Sequence, residues 1–309
     1  MPPSDRSMPD SAPRLLEMEG KAMSTEIIGN PITWAARRVV GVGHGLEAAV
    51  DGIGGVEVAQ PVVNTIGARE VGIALSKGIR DLAAYRSDVI VLVLLYPVIG
   101  FALSVWALQA GHLHLLVPLA AGFPLVGPVA ATGLYEMSKR REQGLEPSWG
   151  VAMDALRASV FGPVLTLGAL LVGVFLLWLY AAHSIWLATL GPVPYDNISA
   201  LLRDSFTTEA GWEMIAMGVG VGAIFAAVVL CLSVVSFPML VDRRVGIPLA
   251  LTTSLAVVRR NPGTIALWGL IVAVLLALGS IPLFVGLIFV LPVLGHATWH
   301  LYRAAVTWP

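Results

Sequence analysis

Six apolar runs, each close to the length a bilayer demands, decide most of what this chain can become. They fall at about 89–109 (VIVLVLLYPVIGFALSVWALQ), 115–135 (LLVPLAAGFPLVGPVAATGLY), 161–182 (FGPVLTLGALLVGVFLLWLYAA), 212–241, 264–281 and 283–302. About 30 Å of hydrocarbon takes roughly 20 helical residues. The runs are continuous rather than alternating, and lipid admits only helices or closed barrels, so helices are expected. Composition agrees: 57% of the 309 residues are hydrophobic and only 13% are charged, against about 25% charged in an ordinary soluble domain. The expected fold class is an all-α membrane protein with six transmembrane helices.

The polar breaks organise these runs. AGHLH separates the first two, and the region around Gly279-Ser280-Ile281-Pro282 separates the last two, so both pairs read as tight hairpins. Residues 1–26 mix Pro, Ser, Met and both charge signs without periodicity and read as a disordered tail. Residues 27–67 are rich in Gly and Val with no run long enough to span, and no structure is assigned to them. The six-span domain is placed at 69–305. At its start, Ile73, Leu75, Ile79, Leu82 and Ala83 favour one helical face, while Lys77, Arg80, Asp81 and Arg86 are polar. That is the pattern of a basic amphipathic helix lying in the headgroup plane.

Basic residues set the orientation. Of 19 Lys and Arg, only Arg203 falls in the loop after the third run, beside Asp196, Asp204 and Glu209. The positive-inside rule then puts both termini in the cytoplasm. Arg140, Arg141, Arg243, Arg244, Arg259 and Arg260 become the cytoplasmic residues expected to face anionic lipid, each worth about 1 kcal/mol near the surface.

A repeat is expected as well. An amphipathic cytoplasmic stretch precedes each outward span: IALSKGIRDLAAYRSD, EPSWGVAMDALRASVFGP and IPLALTTSLAVVRRNPG. The return spans end alike, at Leu134-Tyr135-Glu136, Leu240-Val241-Asp242 and Leu301-Tyr302-Arg303. Three tandem units follow, each an amphipathic helix and a two-span hairpin, related about an axis along the membrane normal.

Little in the chain carries chemistry. His296 and His300 are four apart and share a helical face, a spacing that suits a metal or haem but equally suits helix packing. No Glu lies between them, so this is not a metalloprotease helix. His112, His114 and His183 belong to the opposite side of the membrane and are not expected to join them. Gly218 and Gly222 stand at GxxxG spacing and offer a close helix-packing face. Prolines inside the runs (Pro97, Pro118, Pro124, Pro128, Pro238, Pro292) forecast kinks. Trp149, Trp186 and Trp212 read as interfacial anchors. No charge sits in the middle of a run, as an ion-coupled pump would require. No phosphate loop, nucleophile elbow or carboxylate pair appears, and the net charge of −1 gives no basic field for nucleic acid. The single cysteine, Cys231, rules out an internal disulfide or a Cys-based metal cluster.

The runs LYEMSKRREQGLEPSWGVAMDALR (134–157), LSVVSFPMLVDRRVG (232–246), VRRNPGTIALWGL (258–270) and LPVLGHATWHLYR (291–303) resemble a bacterial family catalogued as domain of unknown function 2189. The resemblance spans about residues 69–305 and implies a multi-span inner-membrane protein without an assigned activity. Sequence thus favours a non-enzymatic scaffold, accessory or partner-binding subunit, with the bilayer and a membrane protein as partners and no cofactor. The alternatives are a transporter or channel for an uncharged or lipophilic solute, and a haem-binding accessory using His296 and His300. Ser104, Thr132, Thr166 and Ser233 are the residues a solute path would draw on.

Overall fold

The computed structural model describes residues 59–84, 86–109, 111–122, 127–145, 158–191, 195, 197–280 and 285–309. Calls on residues 1–58, on the amphipathic stretch at 146–157 and on Trp149 lie outside them. Helices dominate: α1 (Ala68–Ala84), α2 (Arg86–Gln109), α3 (Leu116–Gly122), α4 (Gly127–Ala130), α5 (Thr132–Glu142), α6 (Ala158–Ala188), α7 (Ile198–Thr207), α8 (Glu209–Ser233), α9 (Ser236–Asp242), α10 (Ile247–Arg260), α11 (Pro262–Ser280) and α12 (Leu287–Ala305). Among the described residues, three stretches are long and apolar enough to cross a bilayer: Val160–Ala188, Glu209–Asp242 and Pro262–Ser280.

The second apolar run, expected as one rod over 115–135, is jointed instead. It forms a short 3-10 turn at Leu113–Leu115 followed by α3, α4 and α5. Pro118 and Pro128 fall in the first turns of α3 and α4, where a missing N–H has no intrahelical partner to lose, and Pro124 lies outside the described residues. The fourth run also breaks, at Val234 and Val235 between α8 and α9. Pro238 sits in the first turn of α9, where its missing N–H has no intrahelical partner to lose. The groups exposed by this break are met from α10: Ser254 Oγ donates to the Cys231 carbonyl at 2.7 Å and accepts from Val235 N at 3.4 Å. Ser236 Oγ donates to the Ala250 carbonyl at 3.1 Å. Thus α10, with Ala250, Thr253, Ser254 and Val257 buried, is a wedge that holds the kink.

The face that α1 buries in the protein is not the large apolar face that the sequence assigns to the headgroup plane. Val71, Ala74, Gly78 and Asp81 are buried, and α12 is the helix they pack against most extensively. Ile73 and Ile79 stay exposed. Size explains the choice. A Cβ at Gly78 would come within 2.7 Å of the Val293 carbonyl oxygen and 2.8 Å of Ala297 N, so only glycine allows this crossing.

Residues 62–67, which the sequence left unassigned, are built into the same end. Strand β1 (Val62–Val63) pairs antiparallel with β2 (Val306–Thr307), Val62 opposite Thr307 and Val63 opposite Val306. Asn261 at the C-terminus of α10 then ties down the next turn. Its Oδ1 accepts from Ile66 N at 2.8 Å and its Nδ2 donates to the Asn64 carbonyl at 3.0 Å. Helices α5, α9 and α12 all touch one another, and the largest buried side chains, Trp268, Trp299, Tyr135, Tyr302 and Phe237, lie on or against these three.

Candidate functional site

A buried carboxylate organises the end of the molecule where α1, α5 and α12 meet. Asp81 closes the buried face of α1. Ser138, Arg141 and Glu142 (i, i+3, i+4) share one face of α5, as His296 and His300 share one face of α12. The Asp81 side chain is held by three elements at once. Its Oδ2 accepts from Ser138 Oγ at 2.6 Å and from His300 Nε2 at 2.8 Å. Its Oδ1 accepts from Arg141 Nη1 at 2.9 Å. Ser138 Oγ also lies 2.7 Å from His296 Nδ1. A hydroxyl has one proton; given to Asp81, it leaves the oxygen as acceptor and assigns a proton to His296 Nδ1.

The network continues outward. His300 Nδ1 lies 3.3 Å from Glu142 Oε1, and Arg303 Nε lies 3.2 Å from Glu142 Oε2. Arg303 Nη1 is 3.6 Å from Asp242 Oδ2, which also accepts from the Tyr302 hydroxyl at 2.8 Å. Trp308 Nε1 donates to that hydroxyl at 3.0 Å. Lys139 Nζ donates to the Val241 and Asp242 carbonyls at 2.9 and 3.0 Å, satisfying the C-terminus of α9. Arg141 does the same for α1 through the Arg80 carbonyl. One connected set of charges therefore staples α1, α5, α9, α12 and the C-terminal tail.

Burial pushes the Asp81 carboxyl upward, but hydrogen bonds from His300 and Ser138 outweigh it and hold the group below the usual carboxylate range. Glu142 is likewise raised by burial and lowered more by His300 and the Arg303 charge. Ser, His and Asp are the residue types of a hydrolytic triad, yet the wiring is different. In a triad the imidazole stands between hydroxyl and carboxylate. Here Ser138 bonds the carboxylate directly and is 0% exposed, so it has no path to a substrate.

The sequence had placed His296 and His300 on one face, and they meet around Asp81. Asp81, Ser138 and Glu142 were not singled out as site residues. The trace available was the spacing of small residues at 71, 74 and 78, which continues to Asp81 on the same face. His114, His183 and His112 gather separately: His114 Nε2 is 2.8 Å from His183 Nδ1, and the His114 ring stacks on Trp186 at 3.9 Å. Burial first, then the charges of His183 and His112, hold His114 down to about 4. Of the glycine pair, a Cβ at Gly222 would come within 3.1 Å of the Trp178 ring, whereas one at Gly218 meets open space.

The basic residues expected to face lipid are in part turned to internal acceptors. Arg140 Nε pairs with Glu136 at 3.1 Å, Arg141 with Asp81, and Arg260 Nε donates to Thr65 Oγ1 at 3.1 Å. Arg243 stacks over Trp308 at 5.4 Å, while Arg244 and Arg259 are exposed. Buried carboxylates and helix-end carbonyls compete with lipid for these cations.

Comparison with curated proteins and with solved structures gives no match. Comparison with family models gives one, over residues 115–242, a shorter span than the 69–305 of the sequence resemblance. It takes in α3 to α9, and with them Ser138, Arg141, Glu142 and Asp242, but neither Asp81 nor the α12 histidines. Over that stretch the chain matches the model of a family described as predicted integral membrane protein (DUF2189).

Proposed function

We propose that the chain is a non-catalytic, six-span scaffold or accessory subunit of the bacterial inner membrane, built from three hairpins with both termini in the cytoplasm. The observation that carries this reading is how the polar residues available to a solute path are used. Ser104, Thr132, Thr166 and Ser233 each donate to a carbonyl of their own chain three or four residues back, at 2.8, 2.8, 3.0 and 2.7 Å. Hydroxyls committed in this way have no proton left to donate to a solute.

The packing supports the three-unit arrangement. Helices α2 and α3, α6 and α8, and α11 and α12 are in contact as hairpin partners. Leu134-Tyr135, Leu240-Val241 and Leu301-Tyr302 are all buried where the return arms converge. Of the amphipathic helices, the two among the described residues each pack on the return arm of another unit: α10 of the third unit on that of the second, and α1 of the first on that of the third. Both ring nitrogens of His300 face carboxylates, which supports a structural rather than a haem-ligating use of the pair.

Two measurements test the proposal. In a Cys231→Ala background, a membrane-impermeant maleimide applied to intact cells should label Ser199→Cys and spare Gln143→Cys and Arg244→Cys; the reverse pattern overturns the orientation. In native-lipid nanodiscs the chain should carry a membrane-protein partner at fixed stoichiometry. Swelling of vesicles containing the purified chain alone, in glycerol, would instead make it a solute channel.

A further inference from the structure

We infer that α7 is an interfacial helix whose outer stripe, Ile198, Leu202 and Phe206, is seated in the acyl–headgroup boundary of the bilayer. At about 100° per residue, this helix divides into three sectors. Leu201 and Ser205 are buried, and α8 is the helix against which α7 packs most extensively. Beside them, Ile198, Leu202 and Phe206 are 45%, 45% and 57% exposed. Ser199, Arg203 and Thr207 form the third, polar sector, also exposed. A helix held by protein on one side, apolar on the next and charged on the third fits a lipid surface viewed edge-on.

The corner after α7 fixes that attitude. Thr208 Oγ1 donates to the Asp204 carbonyl at 2.6 Å and accepts from Gly211 N at 3.0 Å, so one hydroxyl ends α7 and caps α8. Gly211 lies against the Asp204 and Ser205 carbonyls so closely that any side chain there would displace them. At the other end, Asn197 Oδ1 accepts from Ala200 N at 2.9 Å and starts the helix. The stripe therefore points one way.

Its occupant follows from continuity. Trp212, 56% exposed in the first turn of α8, meets Phe206 edge-on at 6.1 Å, and extends the stripe onto the exposed face of α8 at Val219 and Ile224. That face belongs to a stretch long and apolar enough to span. Tryptophan at the junction is the residue type that favours the membrane–water boundary. The inference rests on the membrane reading of α8 and is independent of which side α7 occupies.

The test uses nitroxide labels on single cysteines in the Cys231→Ala background, reconstituted in phosphatidylcholine–phosphatidylglycerol vesicles, with collision rates measured for oxygen and for a water-soluble nickel chelate. Labels at 198, 202 and 206 should favour oxygen, and labels at 199 and 203 should favour nickel. The preference should thus reverse from one sector to the next. Nickel preference at all five positions would place α7 in water and overturn the proposal. Protection of 198, 202 and 206 from both reagents would mean that protein covers the stripe, and would overturn it equally. A label at Ile224 separates the two levels: nickel preference there would remove the membrane reading of α8 itself.

Discussion

Replacing Asp81 by Asn tests whether the buried carboxylate is the keystone of this end of the molecule. The change preserves shape and removes one charge. Asp81 is 4% exposed and receives hydrogen bonds from Ser138, His300 and Arg141. An amide has one oxygen and one NH2. If the oxygen faces Ser138 and His300, the NH2 confronts the Arg141 guanidinium; if it faces Arg141, the NH2 meets two donors. Either rotamer leaves a donor unmatched or makes Ser138 and His300 reverse their hydrogen bonds, and breaking the buried Asp81–His300 pair from one side costs about 3–5 kcal/mol. At about 1.4 kcal/mol per tenfold, this is roughly two to four powers of ten in the folding equilibrium. Arg141→Gln instead removes the outer contact and leaves Ser138 and His300 on the carboxylate. The Arg141 side chain is 42% exposed, and pairs of that kind are worth about 0–1 kcal/mol. The two substitutions should therefore differ by about 2 kcal/mol or more. Unfolding by SDS in mixed maltoside micelles, followed by far-UV circular dichroism, reads the difference directly. Equal, small shifts for both variants would refute the reasoning, since Asp81 would then be no more than half of a surface ion pair.

Three further outcomes follow from the same geometry. Acid should destabilise the protein in two windows. His114, held down to about 4, stays neutral in the folded state while the unfolded chain takes up a proton below about 6.5, so stability falls from there toward pH 4. His114→Phe, which keeps a ring against Trp186, should make that window shallower. The contribution of Asp81 and Glu142 is complete above the ordinary carboxylate range and is lost as pH falls through their lowered values; Asp81→Asn should shrink this second slope. On α1, Gly72→Ala should stabilise by up to about 1 kcal/mol because a Cβ there meets nothing. Gly78→Ala should instead cost about 1–3 kcal/mol by forcing α1 off α12, and thermal denaturation of the pair should show opposite signs. Ser254→Ala, which strips both partners from the break between α8 and α9, should cost about 1–3 kcal/mol in the same assay.

What the sequence makes legible is set by what is local. The long α6, α8 and α11 follow from uninterrupted apolar runs, because a helix in lipid needs no information from the rest of the chain. Pro118 and Pro128 are legible as first-turn residues of α3 and α4, since a proline there forfeits no helical bond. A two-residue strand such as Val62–Val63 has no period to detect and exists only because Val306 and Thr307 arrive beside it.

The site falls on the other side of that line. Spacing alone puts His296 and His300 on one face, yet the carboxylate they serve is in α1, more than two hundred residues earlier. Hydrophobicity picks out the face of α1 that carries Ile73 and Ile79, which stay exposed, and gives no weight to the inner face at Gly78. The crossing is decided by the opposite quantity, the lack of a side chain at Gly78, which lets backbone reach backbone and carries Asp81 to the α12 histidines. The run Lys139-Arg140-Arg141 is subject to the same competition. Read alone, three cations in a row belong to a lipid headgroup layer; in the fold, Lys139 and Arg141 are taken by the carbonyl ends of α9 and α1, and Arg140 bonds Glu136. A cation's partner is chosen by which acceptors helix packing strands beside it. The residues that control that packing are the small ones, to which a hydrophobic pattern gives least weight.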